Sequence, residues 1–301
     1  MEIKTYLNEQ RRVVEDALER YMLGIEVQDG TFTAHIEAMR YSLFAGGKRI
    51  RPILCLAAGQ AIEKRPSPDH DLLPIACALE CIHTYSLIHD DLPAMDNDDL
   101  RRGKPTNHIL YGEAGAILAG DGLLTWAFDL LSDWKQGSLP PEKRLAILHT
   151  VARAAGSLGM VGGQALDIAN ENKEFPFETL RTIHQNKTGA LITASILAGA
   201  IGAGADQPQQ EALTRYGEQV GLAFQIVDDL LNVTATTAQL GKAAGSDAGR
   251  GKATYPAFFG IDATREKARA AVEEAERALT LFDDKADPLR AIARYISTRS
   301  H

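Results

Sequence analysis

The sequence is poor in the features that mark several large protein classes. It has 3 cysteines in 301 residues (Cys55, Cys77 and Cys81), an odd number with no CxxC spacing. That disfavours a disulfide framework or a thiolate zinc site, and implies buried, reduced thiols in a cytoplasmic protein. Aromatic residues make up 6%, too few for a base-stacking surface. Basic residues are in deficit, 32 against 40 acidic, for a net charge of −8. A nucleic-acid-binding protein would instead show a basic face or tail. No uninterrupted apolar run reaches the roughly 18 residues of a membrane span. The most apolar stretch, Ala190–Ala205, is rich in Ala and Gly and carries Thr193 and Ser195, so it reads as a buried core helix. The first residues, Met1-Glu2-Ile3-Lys4-Thr5, hold an acidic side chain and no apolar signal core. Alternating Val/Ile/Thr runs that would mark strands are also missing.

What is present is helical. Hydrophobic residues are 45% and charged residues 24%, ordinary for a soluble globular chain. Residues 3–23, 33–46, 72–90, 113–134, 141–157, 177–202, 209–235, 253–261 and 263–282 place apolar side chains three and four apart. Loops are expected at Pro66-Ser67-Pro68, Gly137–Pro141, Phe175-Pro176-Phe177 and Gly241–Gly251. No linker between 72 and 235 is long enough to divide two domains. Residues 1–301 therefore read as one all-α domain of about ten helices, larger than a four-helix bundle. Gly156, Gly159, Gly162, Gly163, Gly189, Gly199, Gly217 and Gly221 imply either close helix contacts or a backbone that approaches a ligand.

Two acidic clusters stand out. The first is His89-Asp90-Asp91-Leu92-Pro93-Ala94-Met95-Asp96-Asn97-Asp98-Asp99. Pro93 cannot easily continue the apolar helix that precedes it, so Asp90 and Asp91 fall in the last turn and Asp96 returns on the loop. Taken alone, this segment could be a solvated acidic loop. The second cluster, Gln225-Ile226-Val227-Asp228-Asp229-Leu230-Leu231-Asn232, lies inside an apolar helix. There Gln225, Asp228 and Asn232 share one face. Adjacent carboxylates in apolar surroundings are costly without a counter-charge. Mg²⁺ suits such oxygen donors and completes its shell with substrate phosphates. Zn²⁺ does not fit, because no His/Cys set has suitable spacing. Cations are present too: Lys48 and Arg51 in one turn, Arg101-Arg102 after the first acidic cluster, Lys187 within an apolar helix and Lys252 at the end of a Gly-rich loop.

Together these segments resemble the trans-isoprenyl diphosphate synthases, most closely their bacterial farnesyl-forming members. The resemblance is carried by Gly46-Gly47-Lys48-Arg49-Ile50-Arg51-Pro52, by His89–Asp96 with Arg101-Arg102-Gly103, and by Gly162-Gly163-Gln164-Ala165-Leu166-Asp167. Lys187-Thr188-Gly189, Phe224–Asp229 and Gly251-Lys252-Ala253-Thr254-Tyr255-Pro256 complete it, in the family's order. It implies the isoprenoid synthase fold, a helical bundle around a deep central cavity. It also implies condensation of isopentenyl diphosphate with an allylic diphosphate and release of pyrophosphate. By resemblance, Asp90, Asp96 and Asp228 bind Mg²⁺ (about three ions), with Asp91 and Asp229 in support. Arg101, Lys187 and Lys252 hold the allylic diphosphate, and Lys48, Arg51, His83 and Arg102 hold that of isopentenyl diphosphate. Thr188 and Gln225 present oxygens to the carbocation. A homodimer is also implied.

Chain length is read on the helix leading into Asp90. Ser86 lies one turn below it, and Tyr85 about 7.5 Å below, where a ring could close the cavity. An aromatic there resembles the farnesyl-forming (C15) members, while the tail of the first cluster also resembles C20-forming plastid enzymes; a C10 product is a further alternative. Asn232 stands where the family usually has Asp, which removes one negative charge from that face. A terpene cyclase would carry Ser or Thr at 232 and Glu at 236, whereas this chain has Asn232 and Thr236. A non-catalytic partner subunit is the other rival, and the intact first cluster opposes it.

Overall fold

A computed structural model describes residues 2–24, 27–62, 69–133, 135, 137–234 and 253–298. They are overwhelmingly helical. Helix α1 (Ile3–Tyr21) starts at Glu2, whose carboxylate accepts hydrogen bonds from the Lys4 and Thr5 N–H groups and so satisfies donors the first turn leaves open. Helix α2 (Thr33–Leu43) leads through Gly46-Gly47 into α3 (Ile50–Ile62). The central helix is α4 (Asp69–Asp90), packed between α3 and α5 (Asn107–Ser132). Its residues 72–82 are buried on every face, as its nearly unbroken apolar sequence requires. Helices α6 (Pro141–Ala155), α7 (Met160–Ala169), α8 (Phe177–His184), α9 (Ala190–Ala203) and α10 (Gln207–Thr234) complete the bundle. The C-terminal helices Ile261–Ala278 and Asp287–Thr298 pack on α10.

Four features depart from the periodicity. Helix α3 falls in none of the expected segments because its residues 52–59 are all buried, leaving no polar face to reveal the period. Helix α7 and the helix Asp287–Thr298 were not expected either. The expected segment 177–202 is interrupted at Gln185–Gly189, which forms a π-helical turn. Finally, Leu100–Arg101 and Lys104–Pro105 pair as a two-residue antiparallel hairpin, so strands are not wholly missing. Its turn residues Arg102 (φ 54) and Gly103 (φ 76) are both left-handed, as a type I′ turn demands. Turn chemistry, not hydrophobic alternation, makes this hairpin.

Ala190–Ala203 is the buried core helix its composition implied, and Gly199 is where it meets α3. A Cβ at Gly199 would lie 2.0 Å from the Cys55 carbonyl oxygen. Cys55, Cys77 and Cys81 are buried free thiols, and burial pushes Cys55 and Cys81 up to about 12. Three helical stretches (Asp71–Asp90, Asn107–Ser132 and Pro141–Ala169) are long and apolar enough to cross a membrane by length and mean hydropathy, 1.3 each. The first of them is the core helix of the bundle, with 72% of its apolar window buried.

Candidate active site

Where α4 ends, the chain turns back on itself. The Asp96 N–H donates to the Asp90 carbonyl at 2.8 Å, and the Met95 and Asn97 N–H groups donate to the Leu92 carbonyl. This returns Asp96 to the C-terminal end of α4, where the helix dipole already favours a cation. Burial, reinforced by Asp96 and Asp91 and opposed by Lys187 and Arg101, raises the Asp90 carboxyl to about 6. Burial thus makes the charged form of Asp90 costly, and a bound cation would offset that cost.

A cavity of about 560 Å³ opens beside Asp90. Its polar end gathers Asp90 with Asp228 of α10 and the cations Lys187, Arg51, Arg101 and Arg102. Thr188, Gln225 and His83 line it as well. On the same wall of α4, Tyr85 and Ser86 carry the lining away from the carboxylates. Tyr85 is buried, 6% exposed, and meets the His89 ring edge-on at 5.7 Å. Four expected residues stand off the lining. Lys48 is exposed on the glycine loop, Asp96 sits on the return loop, and Asp91 and Asp229 are buried behind the front carboxylates. Lys252, like the loop Gly241–Gly251 and the segment Pro66-Ser67-Pro68, lies outside the described residues.

The rear carboxylates position other groups. Asp91 binds Arg101 in bidentate fashion, accepting from Nε at 2.9 and 2.8 Å and from Nη2 at 2.6 Å. The hairpin turn then aims Arg102 the other way, where its Nη1 donates to the Gly46 carbonyl. Gly47 has room for this only because it lacks a side chain: a Cβ would sit 2.8 Å from the Arg102 guanidinium. Arg101 therefore stays with the first acidic cluster, while Arg102 reaches the Lys48–Arg51 segment. Asp229 accepts from the Tyr255 N–H at 2.8 Å and lies 3.9 Å from His184 Nε2. His184 in turn stacks on the Tyr255 ring at 5.6 Å. Asp229 thus ties α10 to the segment that follows Lys252.

Several participants belong to motifs that carry the resemblance without an individual role attached to them. Gln164 Nε2 donates to Asp90 Oδ1 at 2.8 Å, and Lys187 Nζ donates to Asp167 Oδ2 at 2.8 Å. Both partners come from the 162–167 motif, whose role had not been assigned. Gly163 brings α7 against the π turn, since a Cβ there would be 2.2 Å from the Lys187 backbone nitrogen. The π turn itself marks a functional site, as such bulges often do. Beneath the Lys48–Arg51 turn, buried Arg49 donates to Glu80 Oε1 at 2.7 Å and to the Leu43 carbonyl at 2.8 Å. Burial draws Arg51 down to about 10, so it remains a cation at neutral pH. Burial, helped by Arg51 and the other guanidinium groups, holds His83 well below its ordinary value. His83 is therefore neutral and offers a hydrogen bond rather than a charge.

The donor chemistry fits Mg²⁺. All candidate ligands are carboxylates, and Asp90 is raised chiefly by burial, with Asp96 and Asp91 adding to it, so a cation beside it would offset the cost of its charged form. Among the described residues, no group of three His, Cys, Asp or Glu side chains could by itself hold an ion. A magnesium ion would draw its remaining ligands from water and substrate phosphates, its usual habit.

Comparisons with known proteins point to one family. The profile of the Polyprenyl synthetase family matches residues 33–286. The chain is 47% identical over 301 residues to a farnesyl diphosphate synthase of Geobacillus stearothermophilus, covering 100% of this chain and 99% of the relative. It is also 47% identical over 302 residues to a geranylgeranyl diphosphate synthase of Cyanophora paradoxa, covering 99% and 96%. Among solved structures, an FPP/GFPP synthase from Zymomonas mobilis superposes with a TM-score of 0.86 at 39% identity, covering 98% of both chains.

Proposed function

The chain belongs to the polyprenyl synthetase family, with the isoprenoid synthase fold and trans-prenyl diphosphate synthase activity, and from that premise we propose that its product is farnesyl diphosphate. In this reading isopentenyl diphosphate is condensed head-to-tail with dimethylallyl and then geranyl diphosphate. The observation that carries the C15 product is Tyr85, a buried ring on the cavity wall five residues before Asp90. The rise of a helix places it about 7.5 Å from the carboxylate end. The name of the Cyanophora relative keeps geranylgeranyl diphosphate (C20) as the second reading.

The barrier is separation of charge as the allylic C–O bond breaks. Asp90, Asp96 and Asp228, supported by Asp91 and Asp229, would hold Mg²⁺, which would supply Lewis-acid neutralisation of the leaving diphosphate. Lys187 and Arg101 face the same group, and such preorganised cations stabilise the transition state more than the ground state. Lys252 joins them in this reading. Lys48, Arg51 and Arg102 hold the second diphosphate, with neutral His83 donating one hydrogen bond. Lys187 and Thr188 present their groups from the π turn, and the Thr188 hydroxyl and Gln225 carbonyl oxygens face the developing cation. The cavity walls keep water from the carbocation. The isopentenyl double bond attacks C1 of the allyl cation, and the proton then lost from the new chain passes to the departing pyrophosphate.

We read the protein as a cytoplasmic homodimer that does not span a membrane. Ile109, Leu110, Ile117 and Leu118 of α5 are exposed, an apolar set that a second copy of this chain would cover. Product sizing tests the functional reading. The purified protein is supplied with isopentenyl diphosphate, Mg²⁺ and C5, C10 or C15 primers. A C15 product from C5 and C10 primers, with no extension of the C15 primer, is expected; a C20 product overturns the farnesyl assignment.

A further inference from the structure

We infer that Met160, the first residue of α7, is a second specificity-determining residue, closing the cavity from α7 as Tyr85 does from α4. This rests on the reading that the cavity holds a growing prenyl chain.

Two hydrogen bonds fix α7 at the polar level of the site, Gln164 to Asp90 and Lys187 to Asp167. The cavity-lining face of α7 runs through Met160, Val161, Gln164, Ala165 and Ile168, the three-and-four spacing of a single helical face. Met160 precedes Gln164 by one turn, about 6 Å along the axis. Tyr85 precedes Asp90 by a comparable distance on α4. Asp90 meets Gln164 through a hydrogen bond, and Tyr85 and Met160 both line the cavity and join the same apolar cluster. Both are buried, at 6% and 5% exposure. The end of the chain therefore meets a tyrosine ring from α4 and a thioether from α7.

The two residues differ in stiffness. Tyr85 is backed by the His89 ring and presents a fixed surface. Methionine is unbranched and polarizable, and adapts to what it packs against. Truncating Met160 should deepen the cavity while Tyr85 stays in place, and enlarging it should shorten the cavity.

The test compares product distributions of the full-length wild type, Met160→Ala and Met160→Phe. Each is supplied with isopentenyl diphosphate and Mg²⁺ and with dimethylallyl diphosphate as primer. Met160→Ala is expected to raise the C20-to-C15 ratio, and Met160→Phe the C10-to-C15 ratio, each by at least about tenfold, since one methylene of pocket already gives that discrimination. If both variants turn over with the wild-type distribution, the inference is overturned. Should thermal melting show that Met160→Ala does not fold, Met160→Phe decides alone. A wild type that forms no prenyl product overturns the reading of the cavity, and this inference with it; that outcome is distinguished by its appearance before any variant is compared.

Discussion

Asp90 is the residue on which stability and function pull apart. Its carboxyl is raised to about 6 by burial and by its acidic neighbours, so the folded state binds a proton more tightly than the unfolded chain does. The stability it contributes is full at low pH and is lost as pH rises from about 4 to about 6. Asp90→Asn keeps an oxygen to accept from Gln164 and removes the charge. At pH 7 without metal, the variant is expected to be about 1 kcal/mol more stable, after discounting for partial solvent access, and to lose turnover. Denaturant melts at pH 4 and pH 7 check this, because the gain should vanish at the lower pH. Asn232 poses the complementary case. It is buried, 4% exposed, on the α10 face that carries Asp228. Asn232→Asp restores a charge to that face and is expected to lower the Mg²⁺ concentration for half-maximal activity about tenfold, the lower end of what one outer carboxylate changes. A Mg²⁺ titration of both proteins showing the wild type with an equal or lower requirement would contradict this.

The elements that carry the chemistry were legible to different degrees. The apolar run into His89-Asp90-Asp91 and the run around Asp228-Asp229 announced their helices, because a polar interruption in an apolar face is visible in the sequence itself. Helix α3 was not legible, since a helix buried all round has no period to read. The π turn at Gln185–Gly189 was hidden for another reason: its cause lies in tertiary contacts, with Gly163 of α7 pressed against Lys187. For Arg101 and Arg102 the residues alone give a pair of cations, and only the resemblance assigns them to different diphosphates. Their opposite assignments, one to Asp91 and one to Gly46, follow from the type I′ turn between the strands. Met160 and Glu80 gave no signal, because what matters is the wall each one faces. Gly163→Ala would drive a methyl group into the Lys187 backbone and displace the π turn. We expect a loss of about 100-fold in kcat, the effect of roughly 1 Å of misplacement at a reacting centre. Steady-state kinetics beside a melting curve separate this from simple unfolding.

At the scale of the whole molecule, the net charge of −8 conceals a divided field. Carboxylates concentrate at the ends of the two acidic motifs, and the cations approach from the glycine loop, the hairpin and the π turn. Such a site takes an anion once divalent cations reverse the local sign, so a deficit of basic residues is compatible with diphosphate substrates. The same scale applies to the exposed apolar residues of α5. If the proposed homodimer forms through this face, Leu118→Asp, on a side chain 58% exposed, shifts the protein to monomer in sedimentation velocity, and a wild type that sediments as a monomer would contradict the proposal.

Asp90 and Asp228, which would hold Mg²⁺ and a diphosphate, line the same cavity as Tyr85, and we propose that Tyr85 closes that cavity at fifteen carbons. The most direct measurement is the product length of wild type and Tyr85→Ala, each supplied with geranyl diphosphate, isopentenyl diphosphate and Mg²⁺. C15 from the wild type and C20 or longer from Tyr85→Ala are predicted. The same chain length from both proteins would contradict the account.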